Sequence, residues 1–271
     1  MLYTIQNEKL TLSVNSLGAE LWSLRSSLNF KSDYLWNGAP KIWPWRSPIC
    51  FPWCGKIEGG WFEDGGRQYQ ADQHGFVRDL EHELIGQSEK SLTFRLNWAE
   101  DQKRWPWGFS FETRYFLEEN AVTVTCKAVN LSERPMPVQL GFHTGYRCPF
   151  SPDGKTEDYA VRFQQPELPG GDTLFLLAEH TFENGNALFH PLKSEWVQLE
   201  DLKAGHFIRI ETKDWPYLLL WSKPGIPGFL CIEPWTGCTG PGHDPAKRPG
   251  ALLLPSREAL QRTQRILFPV F

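Results

Sequence analysis

Four short motifs each place one or two polar residues with acid-base or anion-binding chemistry in an aromatic or glycine-rich setting. They are Trp45-Arg46-Ser47-Pro48, Gln73-His74-Gly75-Phe76-Val77-Arg78-Asp79, Gly141-Phe142-His143-Thr144-Gly145-Tyr146 and Ile232-Glu233-Pro234-Trp235-Thr236-Gly237. Imidazole, carboxylate and guanidinium groups can move protons on a neutral polyol once a fold gathers them. The set therefore indicates sugar chemistry.

Glu233 follows the apolar run 229–232 and precedes Pro234, which lacks a backbone N–H and is predicted to end the strand there. An acid at the end of a buried strand is unfavourable to desolvate unless it is paired, solvated or functional. A structural salt bridge is an equally good interpretation of Glu233 taken alone. The adjacent Trp235 and two histidines elsewhere favour a catalytic one.

Two histidines lie in settings that favour function. His143 follows the strand-like run 138–142, and His74 lies in a glycine-bounded loop. Their structural alternatives are a hydrogen-bonded core residue for His143 and an exposed turn residue for His74. A histidine with an ordinary pKa of about 6.5 can donate and recover a proton near neutrality. We therefore expect both at the site.

The elements that must position these residues are strands. Alternation of apolar and polar residues predicts strands at 9–14, 91–98, 109–117, 121–130, 207–211, 217–221 and 229–233. Hairpin turns are predicted at 7–8, 88–90 and 118–120. Helical composition is tolerable only in short stretches such as 256–265. The pattern predicts an all-β fold, a large antiparallel β-sandwich.

Composition narrows the class further. The 271 residues contain no linker, which predicts one domain spanning 1–271, and 41% hydrophobic residues are enough for a sizeable core. A net charge of −4 without a basic stripe argues against nucleic-acid or anionic-membrane partners. The sequence shows no signal peptide and no run of about 18 apolar residues, so we expect a cytoplasmic protein.

Cysteine and tryptophan usage leaves two questions. Cys50 and Cys54 lack zinc-finger spacing, so the six cysteines are interpreted as buried small residues instead of metal ligands or disulfides. Thirteen tryptophans concentrate at 43, 45, 53 and 61 and at 105 and 107. Most are expected to fill the core, while some could line a concave sheet face and stack on a pyranose.

Three motifs follow one another along the chain. They are His-Gly-Phe with a following Arg, Gly-Phe-His with a nearby aromatic residue, and Ile-Glu-Pro-Trp. Their joint order resembles the aldose 1-epimerase (galactose mutarotase) superfamily, most closely its compact bacterial branch. The resemblance covers nearly the whole chain, from Leu10 to the last predicted strand. It implies a galactose mutarotase-like supersandwich with an open sugar cleft on a concave sheet.

The resemblance also implies roles for individual residues. Glu233 would be the base that takes the proton from the anomeric hydroxyl, and His143 the acid that protonates the ring oxygen. His74 would help to hold the substrate. The family's basic substrate contact matches either Arg46, as in the hexose-phosphate branch, or Lys56, which lacks the planar fork of arginine.

Arg78 and Trp235 complete the predicted substrate-binding residues. An ion pair with Asp79 or Glu81 is an equally weighted structural alternative for Arg78. The family also uses an aspartate on the sugar hydroxyls. Asp172 has a suitable interval, but its Gly-Gly-Asp context is typical of a loop, and it is not included.

Interconversion of α and β anomers needs a proton removed from O1, a proton delivered to the ring oxygen, bond rotation and closure on the other carbonyl face. The sequence lacks both Gly-x-Gly-x-x-Gly and a P-loop, so we expect no cofactor and no metal. Burial is expected to raise the pKa of Glu233, and the charge of Glu233 to raise that of His143. The expected activity optimum is about pH 6 to 8.

Three alternatives remain open. In a hexose-6-phosphate 1-epimerase, Arg46 and Arg78 would clamp a phosphate. A non-catalytic carbohydrate-binding protein would keep the aromatic cleft without needing an acid or a base. A glycoside hydrolase would need two carboxylates about 5 to 10 Å apart, and only one is nominated. The expected partner is a small sugar or sugar phosphate, bound by a monomer or homodimer.

Overall fold

Antiparallel strands dominate the structure. The computed structural model describes residues 1–27, 33–100, 103–151, 154–225 and 228–269. The strands of the first half are β1 Leu2–Gln6, β2 Leu10–Asn15, β3 Glu20–Ser26, β4 Ile49–Cys50, β5 Trp61–Asp64, β6 Arg67–Gln70, β7 Glu83–Gln87, β8 Ser91–Trp98, β9 Phe109–Leu117 and β10 Ala121–Asn130.

The second half of the chain continues in the same way. Its strands are β11 Met136–Val138, β12 Gly141–Phe142, β13 Thr144–Cys148, β14 Tyr159–Phe163, β15 Leu174–Leu176, β16 Ala187–Phe189, β17 Trp196–Asp201, β18 Phe207–Glu211, β19 Tyr217–Trp221, β20 Gly228–Trp235, β21 Leu252–Leu254 and β22 Ala259–Leu267. Short 3₁₀ turns are present at Glu58–Gly60, Val77–Asp79, Thr156–Asp158, Pro169–Gly171 and Pro245–Lys247. No helix in the described residues is long and apolar enough to cross a membrane.

Two large sheets form the body of the protein. The nine-stranded sheet has the order β15-β14-β17-β18-β22-β10-β9-β8-β7. The six-stranded sheet has the order β16-β19-β20-β12-β4, and β13 also pairs with β20. Side chains from both sheets, including Phe111, Val124, Leu218 and Ile232, belong to one hydrophobic core. The predicted all-β, antiparallel fold class is confirmed.

Hydrophobic alternation located most of the predicted strands closely. The predicted strands at 109–117, 121–130, 207–211 and 217–221 coincide with β9, β10, β18 and β19. The turns at 7–8, 88–90 and 118–120 connect β1 to β2, β7 to β8 and β9 to β10. In these segments the apolar face of each strand is buried, which is the physical basis of the pattern.

The stretch 256–265, whose composition tolerates a helix, is not helical, because β22 begins at Ala259 and pairs with β10. One expectation from the sequence was wrong. Pro234 does not end its strand, because β20 runs on to Trp235. Pro234 pairs with Leu218 of β19 on one side. Proline is tolerated there because on its other side the pairing of β20 is interrupted between β12 and β13.

Strands β19 and β20 separate the core from the outer face of the six-stranded sheet. Leu230 and Ile232 of β20 point into the main core. Successive side chains of a strand point to opposite faces, so Cys231, Glu233 and Trp235 lie on the other face. Glu233 pairs with Leu219 of β19, whose side chain lies on that same face. One sheet thus supports the core and the site.

The turn after His74 depends on a glycine. Gly75 has φ +72°, and a Cβ added there would lie 1.9 Å from the carbonyl oxygen of Phe51. The two segments form a parallel bridge, and the amide of Phe76 donates to that same oxygen. Both the left-handed backbone and the close approach therefore require glycine.

We predict that Gly75→Ala lowers the free energy of unfolding by about 3 kcal/mol or more, because backbone strain and steric overlap act together. Gly66→Ala is the matched control. Gly66 also has a positive φ, +77°, but no described heavy atom lies within 4 Å of the added Cβ. It should lose only about 1 kcal/mol. Urea unfolding followed by tryptophan fluorescence measures both, and equal losses would contradict the role given to the Phe51 contact.

Candidate active site

A cavity of about 420 Å³ opens on the outer face of β19 and β20. Its walls come from these strands, from the loops at 43–45, 55–56 and 73–78, and from the turn at 238–239. Of the seven residues predicted from sequence, six line it: Lys56, His74, Arg78, His143, Glu233 and Trp235. The fold thus brings together groups that are far apart in sequence.

Strand register explains why His143 and Glu233 meet. Gly141 pairs with Trp235, and Thr144 pairs with Ile232, so the same register brings His143 opposite Glu233. The amide of His143 donates to the carbonyl of Pro48 at 3.1 Å, which fixes the histidine from its other side. The imidazole Nε2 lies 3.2 Å from Oε2 of Glu233. This contact is within hydrogen-bonding distance.

The pair is almost completely removed from water, since Glu233 is 2% and His143 6% exposed. Burial raises the pKa of the Glu233 carboxyl well above its ordinary value. Burial, with a smaller contribution from the Arg78 charge, lowers the pKa of His143 to about 3. The expected rise for Glu233 is confirmed, whereas the expected rise for His143 was wrong. The expected rise assumed a negatively charged Glu233, and burial favours its uncharged form.

Aromatic rings enclose the His143 imidazole. Trp43 stacks on it with ring centroids 5.1 Å apart and an interplanar angle of 28°. Trp221 meets it edge-on at 6.0 Å, and Trp235 lies at 6.4 Å. The Nδ1 atom is buried and has no hydrogen-bond partner among the described residues. The ring is therefore held by packing and by its Nε2 contact.

His74 faces the same cavity with its tautomer defined by the backbone. The amide of Gly55 donates to Nδ1 at 3.0 Å, and the thiol sulfur of Cys50 lies 3.4 Å from the same atom. Since Nδ1 accepts a hydrogen bond, the neutral ring carries its proton on Nε2. Burial, and then the neighbouring His143, lower the pKa of His74 well below its ordinary value. His74 is therefore a neutral hydrogen-bond donor.

Arg78 contributes a partly satisfied guanidinium to the rim. Its Cζ lies 4.3 Å from the ring centroid of Trp45, a cation–π geometry. One Nη donates to the carbonyl of Gln73 at 2.8 Å, and Nε lies 3.8 Å from Asp79. Arg78 therefore lies within ion-pair distance of Asp79 and also lines the cavity.

Arg46 is not brought to the cavity. Its guanidinium stacks on Trp22, with Cζ 4.1 Å from the ring centroid, and donates to the Trp22 carbonyl. Its backbone amide donates to the buried Glu20 carboxylate at 2.7 Å. Lys56 takes the cationic position at the wall instead. Asp172 is exposed after the turn Pro169–Gly171, in agreement with the loop prediction.

Sequence reasoning missed several lining residues. Trp221 and Leu219 line the cavity because they alternate with core residues of β19. This signal was available once β19 was paired with β20. Asn186 and Thr239 come from loops with no periodic pattern, and nothing in the sequence indicated them. Among the clustered tryptophans, Trp43 and Trp45 line the cavity. The core contains three others: Trp53, Trp105 and Trp107.

One group of possible metal ligands includes both His143 and Glu233. Donor atoms of His143, Cys231 and Glu233 all lie within 4.8 Å of one another. These donor types suit zinc, but burial raises the pKa of the Cys231 thiol well above its ordinary value. A metal ion would have to displace that proton. All six cysteines are free and buried, as the sequence predicted.

Comparison with known proteins agrees with this fold. Protein LacX of Lactococcus lactis subsp. lactis, in chromosomal and plasmid forms, is 29% identical over 265 residues, covering 88% of each chain. A galactose mutarotase related enzyme from Lactobacillus acidophilus superposes with a TM-score of 0.91 at 24% identity, covering 99% of this chain and 97% of the other. A galactose mutarotase-like protein from Lactobacillus casei gives 0.89 at 25% identity, covering 99% and 100%.

A sequence model described as aldose 1-epimerase matches residues 1–180. The matched range includes His74 and His143, and Glu233 lies beyond it. The match extends over most of the chain and agrees with the superposed structures in fold. This chain belongs to the aldose 1-epimerase family.

Proposed function

We propose that this protein interconverts the α and β anomers of a hexose through the open-chain aldehyde. The observation that carries the proposal is the 3.2 Å contact between His143 Nε2 and Glu233 Oε2 in an aromatic-walled cavity. An acid and a base placed side by side can serve the two oxygens bonded to one anomeric carbon. A protein that only binds carbohydrate would need neither.

The number of protons held by His143 and Glu233 suits this reaction. In the empty site the shifted pKa values favour a protonated Glu233 and a neutral His143. Transfer of the shared proton gives a carboxylate and an imidazolium, with the same total number of protons. A turnover can therefore alternate between these two forms without exchanging a proton with water.

Ring opening starts from the carboxylate and imidazolium form. Glu233 takes the proton from O1, His143 delivers its proton to the ring oxygen, the bond from C1 to the ring oxygen breaks, and C1=O1 forms. Rotation about C1–C2 then presents the other carbonyl face. Closure returns the proton from Glu233 to O1, while His143 recovers its proton from the ring hydroxyl. His74 is placed to donate from Nε2 to a sugar oxygen in both directions.

We predict that Glu233→Gln and His143→Ala each slow anomer interconversion by at least about a hundredfold, because each removes one proton-transfer partner. NMR exchange spectroscopy or polarimetry on glucose and galactose measures the rate. Glu20→Gln and His82→Ala are matched controls, since both residues are buried and neither is among the residues that line the cavity. They should stay near the wild-type rate.

Near-wild-type exchange in a folded Glu233 or His143 variant would contradict its assigned role. The same assay is run with and without EDTA. The proposed mechanism predicts no change. Loss of activity on EDTA treatment, restored by zinc, would instead make His143, Cys231 and Glu233 metal ligands.

A sugar phosphate is the second candidate substrate. Lys56 and Arg78 both line the cavity, and Glu233 is the one carboxylate among its described lining residues. Against this, Arg46 faces Trp22, and the Arg78 guanidinium already contacts Trp45 and Gln73. A two-arginine clamp is therefore not assembled, which supports neutral aldoses.

We predict a higher kcat/KM for glucose than for glucose 6-phosphate. Lys56→Ala and Arg78→Ala should change kcat/KM for both sugars by similar factors, because neither side chain is reserved for a phosphate. Anomer exchange of both sugars under one set of conditions measures this. A strong preference for the phosphate that collapses in either variant would establish the second candidate.

A further inference from the structure

Arg248 places a guanidinium beneath the cavity wall, away from the proton-transfer pair. The residue is 4% exposed, and the titratable neighbours that act on its guanidinium are the thiols of Cys54 and Cys238, with no carboxylate of the described residues among them. Its three nitrogens donate to Cys54 O at 2.6 Å, to Lys56 O at 3.1 Å and to Gln139 Oε1 at 3.2 Å. A buried cation without a counterion is unfavourable, so these neutral acceptors must hold it in place.

Gln139 connects the two walls on either side of this guanidinium. It is 1% exposed, and its Oε1 also accepts from the amide of Cys54 at 3.0 Å. Its Nε2 donates to the carbonyls of Cys238 and Pro249 at 3.0 and 2.8 Å. Both hydrogens of the amide group and its oxygen are therefore used. Arg248 and Gln139 together fix the segment 54–56 against the turn at 238–239.

The segment 54–56 contains the Gly55 amide, which sets the tautomer of His74. Gly55 donates its amide to His74 Nδ1 and accepts the His74 amide on its carbonyl at 2.8 Å. Gly55 has φ +73°, and a Cβ there would lie 2.3 Å from Thr239 Cγ2. The segment is therefore held closely on both sides. A small displacement of Gly55 would remove the hydrogen bond that keeps Nδ1 unprotonated.

We propose that Arg248 and Gln139 are positioning residues that act on the sugar through His74. Arg248 holds the carbonyls of Cys54 and Lys56, and Gln139 accepts from the Cys54 amide and from Nε of Arg248. Together they aim the Gly55 amide at Nδ1 and leave Nε2–H directed to the cavity. The effect on sugar turnover rests on the proposed epimerase function. The effect on the His74 tautomer does not, and it is measured without sugar.

The tautomer is read directly by ¹⁵N NMR of histidine-labelled protein, with His74 assigned from its missing signals in His74→Asn. Wild type is expected to show a protonated Nε2 and an unprotonated Nδ1 from about pH 5 to 9, since burial opposes the charged ring. Arg248→Met keeps the length of the side-chain stem and removes the fork. In Arg248→Met and in Gln139→Met, the spectra should show the His74 tautomer protonated on Nδ1 or the His74 imidazolium.

Activity is measured in parallel. Arg248→Met and Gln139→Met should reduce kcat/KM for anomer exchange at least about tenfold, a smaller effect than loss of a proton-transfer partner. Arg265→Met is the control, because Arg265 bonds Glu118 and Glu211 on the nine-stranded sheet and is absent from the cavity lining. It should lower stability without changing the tautomer or kcat/KM.

A pure Nε2–H tautomer, or a kcat/KM within twofold of wild type, in folded Arg248→Met would overturn the proposal. If that variant does not fold, Arg248→Lys decides, because lysine keeps the charge and lacks the planar fork. A wild-type enzyme without anomer exchange would end the epimerase proposal, while the tautomer measurement would still decide whether these residues position His74.

Discussion

The contact between His143 and Glu233 constrains the rest of the site. A carboxyl and an imidazole buried behind tryptophan rings are each expensive to ionise, so the lowest-energy arrangement shares one proton between them. That requirement explains why Glu233 has a raised pKa and His143 a lowered one. It also explains why Glu233 lies on a strand and His143 between two short strands of the same sheet, since a shared proton needs a fixed donor–acceptor distance. The rings of Trp43 and Trp221 pack against the His143 imidazole and contribute to its burial.

The fold provides this geometry through register and through one interruption. The alternating faces of β20 bury Ile232 in the core and turn Glu233 outward. The break between β12 and β13 releases His143 from regular pairing at the point opposite Glu233, and the same break accommodates Pro234. The surrounding loops then bring His74, Lys56 and Arg78 to the cavity. The sheet fixes His143 and Glu233, while loops supply the remaining groups, and Arg248 holds one of these loops, the segment 54–56, from beneath.

The sequence predicted the features that depend on neighbouring residues and did not predict those that depend on tertiary contacts. Alternation placed β9, β10, β18 and β19 closely, because a half-buried strand must bury every second side chain. The motifs predicted His143 and Glu233 as site residues from their residue types and their sequence neighbours. The same reasoning could not choose between Arg46 and Lys56, because the direction of each side chain depends on tertiary contacts such as Trp22. It also misjudged the pKa of His143, since the balance between burial and charge is a property of the assembled site. Trp221 could be recognised only after strand pairing was known.

The pH dependence of kcat/KM for wild-type anomer exchange tests the shared proton most directly. If the pair works with one proton, the acid limb reports a second proton binding to His143, whose pKa is lowered to about 3. The alkaline limb reports loss of the pair's proton, which the raised pKa of Glu233 delays. A shared proton predicts a flat profile from about pH 5 towards neutrality, with the acid decline only as the pH approaches the pKa of His143. Tryptophan fluorescence confirms that the protein is folded at each pH. An acid limb centred near 4.5, the ordinary pKa of an isolated carboxylate base, would contradict it.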